Sequence, residues 1–496
     1  MQKTVNTIFK YSFSTALLIL IIIGIKLRID ALNFSLDIYF DEMALLNNIV
    51  DRRILNYFTI LNDSQCCPPF FMIFGKILYL FFGYNPKTLR TATGFIPSIL
   101  SLFAFVYLCF IVFKNKLSII FSVFLFTFQV EIIRQAGMFK PYSFDTLITS
   151  IIVISILKLD KIKEKLLPKH YFILGLLAGI AILCSYPSMY IILSSFCIIL
   201  LREYIVNKHI NIKNTFCFLI PFTIIFLFML FKIFIPTANN LELQEYWTNI
   251  EPFLPINYWQ TIDLICFLFT QNYIFSIIVF IVSFAYMFQK NKFLCGLIYL
   301  PILINILTGF LKIYPMSGRT ILYLLPLSFI LFSYPIEKIN FAKRNQLHIN
   351  ILILLLYFSF TNFSGVINKE KANRNFTTFT TGEYYYNALK NIDISEKTWV
   401  LLTQEQSFVF ESLYTRYTPP QEKKNLKLYY TRISDVLLLE KSDIIMYYPM
   451  KSYLENFVIK KSSRDIDFLE DIIKNHCSVL LTKNVEYGTL IECKFK

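Results

Sequence analysis

The run YSFSTALLILIIIGIKLRI, at residues 11–29, decides the class of this protein. Its apolar centre is long enough to cross about 30 Å of hydrocarbon as a helix. Lys3 and Lys10 precede it, as in a signal peptide, but no cleavage site of the small-x-small type follows. We therefore expect an uncleaved first membrane span.

The whole chain shares this apolar character. Of its 496 residues, 56% are hydrophobic and only 16% are charged, whereas soluble domains carry about 25% charged residues. The formal net charge of +15 comes from lysine clusters between apolar runs, where membrane insertion and anionic lipid headgroups explain it. We predict a polytopic membrane protein that does not bind nucleic acid.

Further apolar runs predict membrane spans, because each is close to the length that crosses the hydrocarbon core. They lie at 91–113, 117–133, 142–158, 171–186, 187–202, 215–236, 262–289, 293–311, 320–337 and 348–365. Together with the first run they predict about 11 transmembrane helices in residues 1–365.

The segment 68–82, PPFFMIFGKILYLFF, is apolar but short, starts with two prolines and carries Lys76. If it lies on the membrane surface, every lysine-rich connection falls on the same side as Lys3 and Lys10, which is the positive-inside pattern. We therefore predict a cytoplasmic amino terminus and a carboxyl terminus outside the membrane.

Adjacent carboxylates, Asp41 and Glu42, follow the first span in a predicted outer loop at residues 29–90. A carboxylate held between protein and lipid loses solvation, which raises its pKa and makes it a better base for a hydroxyl proton. The structural alternative is that acidic residues stabilise the start of a helix. Asp37 is a weaker candidate for the same base.

The stretch EIIRQAGMFKPYSFD, at residues 131–145, places four charged residues where two predicted spans meet the outer interface. Charges at that depth are costly unless they are paired or face a polar cavity. Glu131 and Arg134 have the spacing of a pair on one helix face. Lys140 precedes a proline that can end a helix, which leaves its ammonium group facing whatever occupies the cavity. All four charged residues, Asp145 included, are therefore functional hypotheses.

The stretch YPMSGRT, at residues 314–320, reads as a tight turn in which Arg319 begins a span. An arginine at that depth often extends to the interface without a further function. Its functional interpretation is a guanidinium group that binds phosphate oxygens. Both interpretations stay open from the sequence alone.

Residues 366–496 predict a small extracytoplasmic α/β domain, because charges are interspersed among short runs rich in β-prone residues. The strands are expected in TWVLL, LKLYY, SDIIMYY, SVLLT and TLIECKF, and helices at 406–417 and 464–475. Cys477 and Cys493 either form a disulfide there or stay as free thiols. We expect Cys66 and Cys67, in the outer loop, to be packing thiols and not a vicinal bridge.

The chain lacks a Gly-rich phosphate loop, a Gly-x-Gly-x-x-Gly motif and a Cys-x-x-Cys pair, and its four histidines are scattered. No nucleotide or structural zinc site is therefore expected, and we predict no cofactor. A divalent metal is not indicated, because the spacing of Glu242, Glu245 and Glu251 in a later outer loop decides nothing. Acid–base chemistry on the outer face must then use a carboxylate.

An ordered set of motifs resembles the GT-C superfamily of membrane glycosyltransferases, close to glycosyltransferase family 39, the branch of protein mannosyltransferases and aminoarabinose transferases. The matching stretches are FDEMALLNNI, QCCPPFFMIFGKILYLFFGYNPKTLR, RQAGMFKPYSFDTL, YWTNIEPFLP and YPMSGRTILYLLP. They cover most of residues 35–330 in the expected order. Cys66 and Cys67 depart from the pattern, because many relatives carry a histidine or another polar residue before the two prolines.

The resemblance implies an inverting transferase that takes a sugar from a polyprenyl-phosphate donor at the outer face of a bacterial inner membrane. Asp41 would deprotonate the acceptor, with Glu42 in support. The residues facing the donor phosphate would be Lys140, Tyr142 and Arg319, and those shaping the cavity and its loop would be Arg90 and Gln65. The sugar and the acceptor, whether lipid, glycan or protein, are left open.

Two other function classes stay open. A polysaccharide ligase or polymerase also acts on lipid phosphates outside the membrane, but it would be expected to depend chiefly on arginines and a long outer loop. A transporter would more often show internal repeats and helices broken near the midplane, and the sequence shows no convincing repeat.

Overall fold

The computed structural model describes residues 2–34, 38, 40–162, 167–249, 273–316 and 318–338, and five strands between residues 398 and 495. The chain forms two compact units. The helical unit comprises residues 1–34 and 48–369, and the strand unit comprises residues 35–47 and 370–496.

The described helices follow one another along most of the chain. They are α1 (Gln2–Phe34), α2 (Phe40–Asp51), α3 (Pro69–Phe82), α4 (Pro86–Arg90), α5 (Ile96–Val112), α6 (Lys116–Phe128), α7 (Val130–Ala136), α8 (Tyr142–Ile162), α9 (Pro168–Cys184), α10 (Ser188–Asn207), α11 (Ile212–Met229), α12 (Ile235–Ala238), α13 (Leu241–Asn249), α14 (Tyr273–Lys290), α15 (Lys292–Phe310) and α16 (Leu325–Ser333). Short 3₁₀-helices lie at Ile54–Phe58, Leu322–Leu324 and Tyr334–Lys338, and π-helical turns at Thr91–Phe95 and Leu230–Phe234.

Within the described ranges, five helices are long and apolar enough to cross a membrane, and they confirm five of the predicted spans. They are Pro86–Val112, Tyr142–Asp160, Ser188–Asn207, Ile212–Ala238 and Lys292–Phe310. The first predicted span lies within α1, which is 33 residues long. The predicted span 348–365 lies outside the described residues, so the total of 11 stays a prediction.

The predicted span 117–133 is a bent pair of helices, because α6 and α7 are apolar enough together to cross a membrane but meet at an angle of 54°. Gln129 has an extended backbone between them, and its side chain accepts a hydrogen bond from the Glu131 amide at 3.1 Å. It therefore ends one helix and caps the next.

The predicted span 320–337 is likewise divided, into two 3₁₀-helices that flank the nine-residue α16. Pro326 lies near the start of α16 and Pro335 lies in the second 3₁₀-helix. Each proline lacks an amide hydrogen, and so removes one backbone hydrogen bond from a continuous helix. The segment remains almost fully buried.

The apolar segment predicted to lie on the membrane surface forms α3, which has 14 residues and is shorter than the spanning helices. Lys76 in this helix donates hydrogen bonds to the carbonyl oxygens of Ile49 and Val50, at 2.6 and 3.1 Å. A lysine at the carboxyl end of a helix satisfies carbonyl groups that have no partner within that helix. This contact fixes α3 against the end of α2.

Asparagine side chains cap several helices that begin after lysine-containing connections. Asn115, Asn211 and Asn291 accept backbone hydrogen bonds at 3.0–3.1 Å at the starts of α6, α11 and α15. Asparagine is among the best residues at this position, because its oxygen satisfies an amide that the helix leaves unpaired. These three connections were predicted to face the cytoplasm.

The helical unit packs around aromatic side chains. Phe105 stacks on Phe126 with ring centroids 4.6 Å apart, and both rings contact Phe329 edge-on. Arg28 is fully buried beside them, where its guanidinium group lies over Phe126 and donates to the Ser98 hydroxyl at 2.9 Å. The ring contact and hydrogen bond partly offset the cost of burying this cation.

Two glycines bring α9 and α11 into close contact, as the GLLAG pattern in α9 predicts for helix packing within the bundle. A Cβ atom on Gly175 would overlap the Phe218 carbonyl oxygen and lie 2.9 Å from Pro221 Cγ. A Cβ atom on Gly179 would lie 3.0 Å from Ile225 Cβ. These contacts leave no room for larger residues.

Gly175→Leu should therefore destabilise the protein by about 1–3 kcal/mol or more, because the backbone of α11 cannot move as easily as a side chain. The unfolding midpoint of detergent-solubilised protein measures the effect. Leu177→Phe, which adds bulk at an exposed position of the same helix, serves as the control. An unchanged midpoint for Gly175→Leu would contradict the close packing.

The strand unit contains a five-stranded mixed sheet. Its strands are β1 (Thr398–Leu402), β2 (Lys427–Tyr430), β3 (Ile444–Tyr447), β4 (Cys477–Val485) and β5 (Gly488–Phe495), in the order β2-β1-β3-β5-β4. The β1 strand pairs in parallel with β2 and β3, and β5 pairs antiparallel with β3 and β4. All five overlap the runs predicted as strands, although β4 extends beyond SVLLT at both ends and β5 begins one residue before TLIECKF. The two helices predicted in this unit lie outside the described residues. The boundary at residue 366 and the location outside the membrane stay predictions.

The register of the terminal hairpin places its two cysteines on neighbouring strands. Cys477 pairs with Phe495, and Cys493 pairs with Val479. The cysteines are therefore offset by two positions and do not stand directly opposite each other.

Candidate active site

The two adjacent carboxylates stand in the first turn of α2. Glu42 is buried, with 1% of its surface exposed, and Asp41 is half-buried. They belong to the strand unit, and the remaining candidates belong to the helical unit. Asp37 lies outside the described residues.

The loop before α3, which belongs to the helical unit, carries Gln65. Asp63 and Ser64 have positive φ angles of 57° and 49°, so the chain reverses direction just before Gln65. The Ser64 hydroxyl donates a hydrogen bond to the Glu242 carboxylate on α13. This contact connects the loop to a region that is 178 residues further along the chain.

Gln65 and Lys140, both predicted site residues, are brought together. The Lys140 ammonium group donates to the Gln65 side-chain oxygen at 3.3 Å. Lys140 is only 6% exposed and lies between α7 and α8. A buried ammonium group requires polar or negatively charged surroundings, so this is a position where a phosphate group would be stabilised.

Cys67 lies next to this pair. Its carbonyl oxygen accepts a hydrogen bond from the Tyr186 hydroxyl at 2.7 Å. Burial raises the pKa of the Cys67 thiol well above its usual range, and the Lys140 charge lowers it only in part. The thiol is therefore protonated at neutral pH, and Cys67 is the packing residue that the sequence predicts. No disulfide joins it to Cys66, since both are free.

Cys66, by contrast, is exposed as a residue, although protein surrounds its thiol and a hydrogen bond joins it to Thr237. Burial raises the pKa of this thiol to about 11, an effect that the hydrogen bond to Thr237 reduces. Because thiols react as thiolates, Cys66 should react slowly at neutral pH and faster as the pH rises.

A membrane-impermeant thiol reagent applied to intact cells should therefore label the parent more than Cys66→Ser. Between pH 8 and pH 10 the difference should grow by roughly 100-fold, whereas an ordinary thiol of pKa about 8.5 gains about fourfold. A difference that appears only after the membrane is disrupted would place this loop in the cytoplasm and contradict the predicted orientation.

Tyr142 and Arg319 stand on segments that approach each other. Tyr142 is the first residue of α8, and it is close enough to Tyr314 for an electrostatic interaction. The Tyr314 hydroxyl donates to the Thr320 carbonyl oxygen at 3.1 Å, and the Thr320 hydroxyl donates to the Pro315 carbonyl oxygen at 2.7 Å. These bonds close the turn that holds the half-buried Arg319.

Arg90 is buried, with 4% exposed, and is the last residue of α4. The π-helical turn follows it directly, and a Cβ atom on Gly94 in that turn would lie 2.9 Å from the Ala136 carbonyl oxygen. The turn thus packs against the end of α7. The structure places Arg90 at this junction, and its role in shaping the cavity stays a prediction.

Glu131 and Arg134 form the pair that their spacing predicts, with 3.4 Å between Arg134 Nε and Glu131 Oε1. Glu131 also accepts a hydrogen bond from the Gln135 amide group at 2.8 Å. These contacts lie within α7 and give both charged residues a structural role.

Sequence reasoning missed part of the surroundings of Lys140. Asp145 is buried in the first turn of α8, and the Ser185 hydroxyl faces its carboxyl group. Ser185 and Tyr186 lie in the break between α9 and α10, where two predicted spans were drawn without a gap. The sequence SYPS at that break was the available signal, because serine and proline mark turns.

Among the residues that the structure describes, no three histidine, cysteine, aspartate or glutamate side chains are grouped as metal ligands. Glu242, one of the acidic residues considered for a metal, is bonded to Ser64 instead.

No protein-family model matches the chain, and no curated protein matches it either. Among solved structures, the fold is similar to the oligosaccharyltransferase AglB from Archaeoglobus fulgidus in complex with an inhibitory peptide and a dolichol-phosphate. The two chains share 13% identity and a TM-score of 0.50, over 84% of this chain and 65% of AglB. The apo form of that enzyme gives 14% identity and the same TM-score and coverage.

ArnT from Cupriavidus metallidurans in the apo state matches over 98% of both chains, with 10% identity and a TM-score of 0.46. The comparison with AglB concerns the fold, and it covers less than two thirds of that enzyme. On its apolar helices the chain is an integral membrane protein, and its fold is similar to that of the oligosaccharyltransferase AglB.

Proposed function

We propose that this chain is an inverting glycosyltransferase that moves a sugar from a polyprenyl-phosphate donor to an acceptor hydroxyl at the outer face of the membrane. The observation that carries the proposal is the buried Lys140, bonded to Gln65, within a GT-C fold. A buried cation at the predicted outer end of a span is costly unless it is paired or serves a ligand, and such positions often mark a binding site.

A lipid phosphate fits this position better than other anions. Lys140 supplies a positive charge at the start of α8, where Tyr142 adds a hydroxyl group. Arg319, in the neighbouring turn, adds a guanidinium group suited to phosphate oxygens. AglB, which shares the fold, was solved with a dolichol-phosphate. The donor is therefore proposed to be a sugar linked to a polyprenyl phosphate.

The proposed reaction is a single displacement. The acceptor oxygen attacks the anomeric carbon as the bond from that carbon to the phosphate oxygen breaks. The bonding electrons leave with the phosphate, so polyprenyl phosphate is the second product, and the acceptor proton moves to the Asp41 carboxylate. Lys140, Tyr142 and Arg319 stabilise the charge that develops on the phosphate.

The acidic pair supplies the proposed base. Glu42 is almost fully buried and Asp41 is half-buried, so the two carboxylates differ in solvent access. The more accessible Asp41 is the better proton acceptor for an incoming hydroxyl, and Glu42 supports it. The location proposed for this chemistry is the outer side of a bacterial inner membrane, with the amino terminus in the cytoplasm.

A transfer assay tests the proposal. Membranes with and without the chain are incubated with undecaprenyl-phospho-mannose, -glucose or -arabinose that carries a radiolabelled sugar, and label is followed into lipids, glycans and proteins. We expect transfer from at least one donor only when the chain is present. Chain-dependent joining of preformed polysaccharide, with no transfer from these donors, would favour the ligase or polymerase.

A further inference from the structure

Asp145 has an unusual environment for a carboxylate at the start of a spanning helix. It is 5% exposed, and its Oδ1 atom has no hydrogen-bond partner among the described residues. Among the described residues, no other acidic side chain has a buried oxygen without a hydrogen-bond partner. A buried acceptor without a partner is energetically unfavourable, so this position is suited to a ligand that donates a hydrogen bond.

Ser185, which faces Asp145, is also a buried polar residue. The Ser185 hydroxyl interacts with the Asp145 carboxyl group, although neither Ser185 Oγ nor Asp145 Oδ1 reaches full hydrogen-bond geometry with any described residue. Ser185 follows α9 with an extended backbone, and Tyr186 connects this break to the loop before α3 through the Cys67 carbonyl oxygen. Two buried polar groups that lack a well-formed hydrogen bond therefore meet at one place.

This place adjoins the proposed phosphate site. Cys67 is close enough to both Lys140 and Asp145 to interact electrostatically with each. The phosphate of a donor would be attracted by Lys140 and repelled by the Asp145 carboxylate. A ligand that spans both groups must therefore carry its negative charge at one end and hydrogen-bond donors at the other.

Aromatic side chains complete the surroundings. Tyr314 lies within electrostatic reach of Asp145, and its ring is 5.5 Å from that of Tyr190, which stacks on Tyr323 at 6.1 Å. Aromatic rings offer apolar faces, and a few placed polar groups then fix the orientation of a ligand. A sugar has both an apolar face of C–H groups and a rim of hydroxyl groups.

We propose that Asp145 and Ser185 form a subsite that binds the hydroxyl groups of the donor sugar and determines which sugar is accepted. The proposal rests on the proposed function, because it places the sugar next to the phosphate bound at Lys140. Asp145 accepts a hydrogen bond from a sugar hydroxyl through Oδ1, and Ser185 contacts the same sugar. The alternative is that Asp145 only stabilises the start of α8.

The test compares donors that differ by single hydroxyl groups. Purified protein in lipid nanodiscs is assayed with the best donor of the panel and with its monodeoxy analogues. The parent should prefer the complete sugar over at least one analogue by roughly 10- to 100-fold in kcat/KM, as expected for one hydrogen bond to a charged group. Asp145→Ala should remove most of that preference.

Undecaprenyl phosphate, which carries no sugar, is the second probe. Its affinity should not fall in Asp145→Ala, because the phosphate site remains and the carboxylate that repels the phosphate is gone. Ser185→Ala should lower the same preference, and Asp145→Asn, which retains the shape and one accepting oxygen, should lower it in part. Ser150→Ala, which removes a buried hydroxyl further along α8, should leave both properties unchanged.

Two results overturn the proposal. If Asp145→Ala weakens binding of the lipid phosphate and of the sugar donor equally, the residue has only a structural role. If this variant fails to fold, an unchanged preference in Asp145→Asn and Ser185→Ala leads to the same conclusion. If the folded parent transfers no sugar from any donor, the proposed function fails as well. Transfer by the parent with unchanged preference in the variants removes the sugar subsite alone.

Discussion

Asp41→Asn is expected to lower sugar transfer by about 10²–10⁴-fold, the range that a general base contributes. Asparagine has nearly the same shape as aspartate and loses only the interaction of the negative charge with the helix dipole. The substitution therefore removes the proton acceptor and leaves the start of α2 intact. Transfer is measured in membranes that contain equal amounts of parent and variant.

The position of Asp41 makes this a discriminating test, because a helix-stabilising role would give the same location. Loss of a favourable dipole interaction costs about 0.3–1 kcal/mol of stability, which does not change the rate of folded protein by orders of magnitude. Asp51→Asn, at the opposite end of the same helix, is the matched control and should leave transfer unchanged. Equal transfer by Asp41→Asn would remove Asp41 as the base and direct attention to Glu42 or Asp37.

Lys140→Met should weaken binding of undecaprenyl phosphate and lower transfer by about 10²–10³-fold, the usual loss for one group that stabilises developing negative charge. Methionine fills a similar volume without the charge, and it leaves Gln65 to bond elsewhere. Lys140→Arg should retain part of the affinity, because the charge remains although the geometry differs.

The lipid itself provides the control for Lys140. Undecaprenol lacks the phosphate, so its weaker binding should be the same in parent and Lys140→Met. Lys312→Met, at an exposed lysine in the turn after α15, should leave the binding of undecaprenyl phosphate and the sugar transfer unchanged. If Lys140→Met lost affinity for undecaprenol and undecaprenyl phosphate equally, Lys140 would be structural and the phosphate site would lie elsewhere.

Local chemistry explains which parts of the fold could be predicted from the sequence. Apolar length identified five spans, and short runs of β-prone residues located all five described strands. The break at Gln129 was missed because its cause is a single polar residue within an apolar run, and hydropathy averages over such residues. The division of the segment around α16 was missed for a similar reason, although Pro326 and Pro335 mark it.

The candidate site was predictable only residue by residue. Lys140 could be singled out because a charge in an apolar stretch is unusual, but its partner Gln65 is 75 residues away in the sequence. Nothing local indicates that the two side chains meet. Ser185 and its proximity to Asp145 were overlooked for the same reason, since that proximity depends on how α8 and the break after α9 pack together.

The most direct test of the central claim is the stoichiometry of the reaction in nanodiscs that contain purified protein, donor and a membrane extract as acceptor. Radiolabel on the acceptor and undecaprenyl phosphate, measured by mass spectrometry, are counted in the same sample. The account predicts one undecaprenyl phosphate for each sugar transferred, with both absent in Asp41→Asn. Sugar transfer without release of undecaprenyl phosphate would contradict it.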